Sequence, residues 1–256
     1  MAETDYDLDL LRQALSGRIL GRRVLYYGLV RSAIDEMWSL AEQGEPEGTV
    51  IVSEEQTEGR GRFNRAWFSP WGQSILISVL LRPTLAQLPF VNMAAALAVS
   101  RAIAETSGLQ TSIKWPNDVR VNGRKISGVL IESAIDDGEP SHSIVGIGLN
   151  VNFDPSLYPE IGSTATSILR ETGKKANRTA ILRTVLESLD SLYSQIRTGR
   201  SLTEEWAAEM GMLGQNIKVR WQDHILEGRA NSVDSQGNLI ILKPDGSLQP
   251  RGEEGE

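Results

Sequence analysis

The 256-residue sequence contains no cysteine and only two histidines. The absence of cysteine excludes disulfide bonds, a thiolate nucleophile and a cysteine-based zinc site. The two histidines, His142 and His224, are far apart in sequence and lie in polar stretches. We therefore expect both histidine side chains on the surface.

The sequence also lacks an excess of positive charge and any long apolar run. Its formal net charge of -7 argues against a general nucleic-acid binder. No uninterrupted apolar run reaches about 18 residues and the N-terminus is acidic, so we expect neither a membrane span nor a secretory signal. The helix predicted at residues 7–16 is too short for a helix-turn-helix domain. We predict a cytoplasmic protein that contacts neither nucleic acid nor a membrane.

What the sequence does contain is a segment rich in glycine and arginine, Glu58–Trp67. Arg60, Arg62 and Arg65 are interleaved with glycines, and predicted buried strands flank the segment. Glycine lets backbone N–H groups approach a ligand closely, and each guanidinium offers fixed donors to phosphate or carboxylate. We interpret the segment as a mobile anion-binding loop. Taken alone, the same pattern also fits a solvated basic turn or a nucleic-acid contact.

A second polar segment, Lys114–Asp118, contains a proline. Pro116 removes a backbone donor and favours an extended conformation in the residue before it. Lys114, Asn117 and Asp118 are therefore predicted to lie on a rigid bend near the start of a strand.

The next segment is predicted to be a hairpin, because Asn122-Gly123 suits a two-residue type I′ turn. Lys125 would begin the return strand. Strict alternation along that strand places Lys125 and Ser127 on one face of the sheet and Gly128 on the other.

The predicted strand at residues 143–152 alternates between branched apolar residues and a face of glycine and asparagine. That second face carries Gly146, Gly148 and Asn150. It predicts either a ligand trough or a close approach by a helix, and the sequence does not separate the two. We favour a functional role for Asn150, since a buried amide needs partners.

Periodicity predicts an α+β fold with two parts. Residues 178–198 carry an apolar stripe at helical spacing, which indicates a core helix. From Gly214 onward the pattern changes to short strands, predicted at residues 217–221, 224–230 and 238–242, with turns at Asp223, at residues 235–237 and at residues 245–246. We predict a main domain at residues 1–212, followed at residues 213–256 by a small antiparallel barrel and the acidic tail.

Four motifs occur in order: GRGRxxRxW at residues 59–67, KWPND at 114–118, RKISGVLIE at 124–132 and GIGLNVN at 146–152. Together they resemble the biotin–protein ligase family, in the form without an N-terminal DNA-binding domain. The resemblance covers residues 24–252. It implies a mixed sheet flanked by helices, similar to class II tRNA synthetase cores, with a C-terminal SH3-like barrel.

The resemblance also implies the reaction and its participants. The family activates biotin with ATP and Mg²⁺ to biotinyl-5′-AMP, then transfers biotin to a lysine of a carrier protein such as that of acetyl-CoA carboxylase. A homodimer is compatible with it. By the same resemblance Lys125 and Arg62 are catalytic and Asp118 is the Mg²⁺ ligand. The implied biotin or adenylate contacts are Ser32, Gln56, Gly59, Arg60, Gly61, Arg62, Arg65, Trp67, Lys114, Asn117, Lys125, Gly128, Gly148 and Asn150.

The sequence departs from the family at the start of the first helix of the main domain. The family usually has Ser-Thr-Asn there, lining biotin, whereas this sequence has Ser32-Ala33-Ile34. Two hydrogen-bonding side chains are thus replaced by apolar ones. This leaves two alternatives to a biotin ligase: a lipoate-type ligase on the same fold, and a protein that binds biotin or its carrier without turnover.

Overall fold

The computed structural model describes residues 4–221 and 224–251, with the side chains of 220, 221 and 224 excluded. The predicted turn at Asp223, the surface position of the His224 side chain and the acidic tail at 253–256 lie outside the described residues. The helices are α1 (Leu8–Ala14), α2 (Ala33–Glu42), α3 (Leu88–Ser107), α4 (Ile168–Thr172), α5 (Arg178–Arg197) and α6 (Thr203–Ala208). The strands are β1 (Arg23–Val30), β2 (Thr49–Gln56), β3 (Ser74–Leu81), β4 (Ser112–Lys114), β5 (Asp118–Val121), β6 (Arg124–Asp136), β7 (Glu139–Asn150), β8 (Asn216–Trp221), β9 (His224–Val233), β10 (Leu239–Leu242) and β11 (Leu248–Arg251).

The predicted mixed sheet is confirmed. Seven strands hydrogen-bond in the order β1-β2-β3-β7-β6-β5-β4, and only the β1–β2 pair is parallel among the described strand pairs of this sheet. The long central strands follow from runs of branched apolar residues, which fit a pleated, buried surface. The predicted hairpin turn is also present, since Asn122 and Gly123 both have positive φ.

One face of this sheet, which we call the core face, packs on α3 and α5. Val145, Ile147 and Leu149 of β7 point to this side and belong to the main apolar cluster. The predicted stripe of α5 is buried in the same cluster. By length and composition α3 is apolar enough to cross a membrane, but most of its side chains are buried in this core.

The opposite face is covered differently. Helix α2 packs on β2, β3 and β7. Ile34 and Met37 form a smaller apolar cluster there with Ile51, Leu80 and Ile144. Ser32 caps α2, accepting a hydrogen bond from the Asp35 backbone N–H at 3.3 Å. The remainder of the face lies under Glu58–Trp67, the segment between β2 and β3 that we call the arginine loop. We call this part of the sheet, which α2 leaves uncovered, the ligand face.

The C-terminal strands form a separate antiparallel sheet in the order β11-β10-β9-β8. Its fourth strand, β11, was not predicted. Ala230, Leu239 and Ile241 join the main apolar cluster, and the Trp115 indole N–H donates to the Gly237 carbonyl at 3.0 Å. The small sheet therefore shares a core with the large one, as expected for a unit too small to be stable alone.

The expectation that His142 lies on the surface is wrong. Its side chain is buried, with its ring 4.7 Å from that of Trp38 in an edge-on arrangement. Burial, and then the charge of Arg82, lower the pKa of His142. The polar residues around it in sequence gave no sign of this contact, because α2 and β7 meet only in the folded chain.

Candidate active site

A cavity of about 170 Å³ lies on the ligand face, between the sheet, α2 and the arginine loop. Twelve of the residues predicted for the site line it: Gln56, Arg60, Gly61, Arg62, Arg65, Trp67, Lys114, Asn117, Asp118, Lys125, Gly128 and Gly148. Strands β6 and β7 supply its floor, the loop supplies its roof, and the turn between β4 and β5 supplies one wall. The four motifs therefore meet around one space.

The glycines of β6 and β7 are what make room above the sheet. A Cβ atom added to Gly148 would lie 2.4 Å from the Trp67 ring, and one added to Gly128 would lie 3.1 Å from it. A Cβ on Gly146 would lie 2.5 Å from the Ile34 side chain. The close approach by a helix is thus confirmed at Gly146, whereas the Trp67 side chain packs over Gly148, and both glycines also line the cavity.

Lys125 lies on the same side of the sheet as Gly128, so the predicted alternation of β6 is wrong at this point. Lys125 pairs with Arg120 and Ser127 with Val119, which leaves Ile126 as an extra residue in a β-bulge. A bulge re-aims the residues next to it, and here it turns Lys125 into the cavity. The Lys125 ammonium lies 2.6 Å from an Asp118 carboxylate oxygen and 5.4 Å from the centre of the Trp67 ring.

Cationic groups cluster where the cavity opens. Lys114, Arg65 and Arg62 join Lys125 in the lining. Although its surface is accessible to solvent, partial desolvation by the surrounding chain, and then the charge of Arg120, lower the pKa of Lys114. Asp118 acts in the opposite direction. An anion bound here would meet several positive charges and one protein carboxylate, Asp118. This arrangement is suited to a ligand that carries a phosphate or a carboxylate group.

The base of the arginine loop is a short antiparallel ladder. The Trp67 N–H donates to the Gly59 carbonyl and the Gly61 N–H to the Arg65 carbonyl, each at 2.8 Å. At the tip of the loop, Phe63 and Asn64 both have positive φ. The ladder places the Trp67 ring over the glycine floor, and the tip carries Arg62, whose guanidinium lies 5.1 Å from the centre of the Phe63 ring.

The Arg60 guanidinium turns away from the tip and binds three protein groups. It donates to both carboxylate oxygens of Glu132 at 3.2 and 3.1 Å and to the Ser32 hydroxyl at 3.2 Å. It also lies 2.6 Å from an Asp35 carboxylate oxygen. Partial burial alone would lower the pKa of Arg60, but Glu132 and Asp35 more than offset it and raise the pKa.

Three residues predicted for the site do not line the cavity. Ser32 is buried at the cap of α2, beside Arg60. Gly59 lies in the loop ladder, with its Cβ position 3.1 Å from the Trp67 carbonyl oxygen. Asn150 is buried and its amide N–H donates to the Thr166 carbonyl at 3.0 Å, which ties the end of β7 to the chain after it.

Two buried polar atoms of the lining have no hydrogen-bond partner, the Ser78 hydroxyl and the Trp67 indole N–H. Both lie on the ligand face, Ser78 directly opposite Gly146 and Trp67 over Gly148. Buried polar atoms are nearly always paired in folded proteins. We therefore interpret this part of the cavity as a place for a molecule that carries both apolar and hydrogen-bonding groups.

Sequence reasoning missed several parts of this site. Ile34 forms an apolar end wall of the cavity, and Leu130 and Val129 line it from β6. Glu132 and Asp35, which hold Arg60, were not assigned to the site. Gly146 and the period-2 pattern of β6 contained the signal for the lining, but no motif linked Glu132 to an arginine 72 residues earlier.

The lining also bears on the predicted Mg²⁺ ligand. Within residues 4–221 and 224–251 there is no cluster of three or more histidine and carboxylate side chains that could hold a metal. Asp118 is the carboxylate in the cavity lining. Mg²⁺ commonly uses one or two carboxylates and completes its shell with water and substrate phosphates. A lone Asp118 among the cationic side chains of the lining fits that mode.

Comparison with known proteins agrees with this site. Residues 29–150 match the Biotin/lipoate A/B protein ligase family. The chain is 32% identical over 241 residues to the bifunctional ligase/repressor BirA of Bacillus subtilis, covering 92% of this chain and 74% of that protein. It is also 32% identical to the biotin–[acetyl-CoA-carboxylase] ligase of Paracoccus denitrificans, covering 77% and 85% of the two chains.

The fold leads to the same group of proteins. The biotin protein ligase of Aquifex aeolicus in complex with biotin and ATP superposes with a TM-score of 0.78 at 30% identity, covering 92% of this chain and 98% of that one. The chain belongs to the biotin/lipoate protein ligase family. Within that family, the relatives from Paracoccus denitrificans and Aquifex aeolicus are named biotin ligases, and the arginine loop, the Lys114–Asp118 turn and the glycine floor all lie in the matched region.

Proposed function

We propose that the protein is an ATP-dependent biotin–protein ligase that forms biotinyl-5′-AMP and transfers the biotinyl group to a lysine of a biotin carrier domain. The single observation that carries this proposal is the cavity, which joins a glycine floor under Trp67 to an opening lined by Arg62, Lys114 and Lys125. A long acyl chain fits the first part, and the phosphates of ATP fit the second. The relative from Paracoccus denitrificans is named a biotin–[acetyl-CoA-carboxylase] ligase, and the Aquifex aeolicus structure is a biotin protein ligase in complex with biotin and ATP.

In the first step a biotin carboxylate oxygen attacks the α-phosphorus of ATP, and pyrophosphate leaves. Charge on the phosphoryl oxygens must be stabilised, and fixed cationic donors are effective in a site shielded from water. Lys125 and Arg62 supply such donors. Since Lys125 is already ion-paired with Asp118, an anionic substrate competes with that carboxylate for the ammonium.

In the second step the amine of the acceptor lysine attacks the carbonyl carbon of the mixed anhydride, and AMP leaves with the phosphoryl oxygen. The intermediate hydrolyses if water reaches it. A loop that covers the cavity while the acceptor approaches therefore protects the intermediate. The residues of the loop tip, which carry Arg62, are the ones that must move for the acceptor lysine to enter.

Mg²⁺ bound to the nucleotide would neutralise phosphate charge, with Asp118 as its protein ligand. The residues of this chain otherwise bind and orient the substrates. Trp67 and Ile34 form apolar walls, and Asn117 fixes the turn by donating to the Val129 carbonyl.

The test is biotin-dependent exchange of pyrophosphate into ATP. We expect exchange with biotin and transfer to a purified carrier domain. Exchange with lipoate but not with biotin would identify a lipoate-type ligase, and tight biotin binding without exchange would identify a non-catalytic binder. Ile34, which places an apolar side chain against Gly146, is the feature that makes these comparisons worthwhile.

We also propose the features around this activity. Residues 213–256 form a small C-terminal domain packed against the main domain at 1–212, and their four antiparallel strands support an SH3-like barrel. A cytoplasmic location matches the use of ATP. A homodimer could pair through β1, which is one of the two edge strands of the large sheet. Sedimentation with and without biotin and ATP tests the assembly.

A further inference from the structure

We propose that Glu132 is a positioning residue: its carboxylate grips Arg60 and thereby holds the base of the arginine loop, with Trp67, in place over the cavity. This inference rests on the proposed ligase function for its catalytic consequence. The grip itself is visible in the structure and can be tested without biotin.

The guanidinium donors of Arg60 bind protein groups. The guanidinium forms a two-pronged contact with Glu132, at 3.2 Å from Nε and 3.1 Å from a terminal nitrogen. Its other terminal nitrogen contacts Asp35 at 2.6 Å and the Ser32 hydroxyl at 3.2 Å. Two-pronged pairs between arginine and carboxylate fix direction as well as distance. Arg60 thus binds β6 and the start of α2, and it acts on the substrate through the loop.

The Glu132 carboxylate is itself oriented by a second side chain, Trp38. The Trp38 indole N–H donates to a Glu132 carboxylate oxygen at 2.8 Å, and Trp38 packs against His142. Glu132 lies on the same side of β6 as Gly128 and Leu130, four and two residues earlier. Its carboxylate therefore stands on the strand that forms the cavity floor, a rigid support for the loop.

The backbone of the arginine loop connects Arg60 to Trp67 in the cavity lining. Arg60 forms a bridge with Ala66, and the ladder on either side of it fixes the backbone of Trp67. The Trp67 ring covers Gly148 and Gly128 and contacts the Lys125 ammonium. Loss of the Glu132 grip would free the ladder, and Trp67 would then cover the acyl site for a smaller fraction of the time.

The experiment compares Glu132→Gln with Glu227→Gln, a matched change at an exposed pair with Lys218 in the C-terminal sheet. The first readout is trypsin cleavage after Arg62 and Arg65 in the protein without substrates. We expect cleavage of E132Q to be about tenfold faster than in the wild type, since one charged hydrogen-bonding partner is lost. E227Q should be cut at the wild-type rate, and the thermal midpoints of all three proteins should agree.

The second readout is kinetic. For E132Q we expect the KM for biotin to rise about tenfold while kcat changes less than threefold, because binding geometry is disturbed and the reacting groups are retained. Glu132→Asp keeps the charge and should give intermediate values in both readouts. Asp35→Asn, which weakens the other side of the grip, should accelerate cleavage by a smaller factor.

The outcomes separate cleanly. Wild-type cleavage rates in both E132Q and D35N would overturn the proposal. Faster cleavage with an unchanged KM would show a grip without a positioning role, and would also overturn it. If the wild type itself shows no biotin-dependent exchange, the proposed function fails, while the cleavage rates still decide whether Glu132 holds the loop. An E132Q protein that does not fold leaves the decision to E132D and D35N.

Discussion

The two faces of the seven-stranded sheet are built from the same strands but are completed in opposite ways. On the core face, Val145, Ile147 and Leu149 pack against α3 and α5. On the ligand face, the intervening residues of β7 are Gly146, Gly148 and Asn150, and the arginine loop covers the part of that side of the sheet that α2 does not. The core face is covered by helices, whereas part of the ligand face is left as a cavity.

Unpaired buried polar atoms lie on both sides of the large sheet, but among the described residues the main apolar cluster contributes only the Trp206 indole N–H. Buried atoms without a partner on the ligand side are the Ser53, Ser74 and Ser78 hydroxyls, Asn150 Oδ1 and the Trp67 indole N–H. The strand register places the three serines in rows with Leu76, Asn150 and Gly146. A core that left so many polar atoms unpaired would be costly. The face is therefore better understood as shaped for a molecule that brings its own polar groups.

The largest test of this comparison removes a charge from the ligand face. Lys125→Ala should lower kcat/KM for biotin by about 10²–10³-fold, the range found when one preorganised donor to a transition state is removed. Steady-state ATP–pyrophosphate exchange measures it. Lys218→Ala, which removes an exposed lysine of the small sheet, should leave the rate unchanged. A loss of less than fivefold for K125A would remove Lys125 from the reaction.

The second test changes neighbouring residues that point to opposite faces. Leu149→Ala deletes a fully buried core side chain and should lower the free energy of unfolding by about 2–5 kcal/mol. Gly148→Ala should change it by less than about 1 kcal/mol. Because the added Cβ would lie 2.4 Å from the Trp67 ring, G148A should instead raise the KM for biotin about tenfold.

Urea unfolding and exchange kinetics on the same preparations separate the two effects. If G148A proved as unstable as L149A while its KM stayed normal, Gly148 would be a packing glycine and the ligand face would have to be redefined.

The third test concerns the loop tip. Arg62→Gly should let biotinyl-5′-AMP escape before transfer, so that lysines on a bystander protein are labelled about tenfold faster, because a charged contact to the intermediate is lost. Blotting for biotin on added albumin measures the labelling. Asn64→Gly is the matched control: Asn64 already has a positive φ that glycine adopts readily, so it adds flexibility to the loop and retains the guanidinium. Equal labelling by wild type and R62G would mean that the loop does not retain the intermediate.

Much of the fold could be predicted from the sequence because its signals are local. The stripe of α5 and the turn at Asn122-Gly123 each depend on neighbours within a few residues, and both are confirmed. Most of the lining was also predicted, but through the combined motifs of a family and not through spacing alone. The roles of those residues remain predictions until variants are measured.

What the sequence did not predict depends on contacts between distant segments. The bulge at Ile126 shifts the register by one residue and brings Lys125 to the cavity, which strict alternation had assigned to the wrong side. Glu132 meets Arg60 only because β6 passes beneath the loop. His142 is buried only because α2 lies across the end of β7. None of these has a signature within a window of a few residues.

The smallest test uses that buried histidine, on the α2 side of the sheet but outside the cavity lining. Its pKa is lowered by burial and then by Arg82, while Asp136 and Glu42 oppose the shift. The unfolded chain therefore takes up the His142 proton at a higher pH than the folded chain. The free energy of unfolding contributed by neutral His142 is fully present above about pH 6.5, the ordinary value. It falls as the pH drops below that value, until the native group also titrates.

Urea unfolding at pH 7.5 and pH 5.5 should thus show a larger loss for wild type than for His142→Gln. Equal losses would mean that the His142 ring is in contact with solvent. The edge-on contact between His142 and Trp38, which itself donates to Glu132, would then be absent in solution.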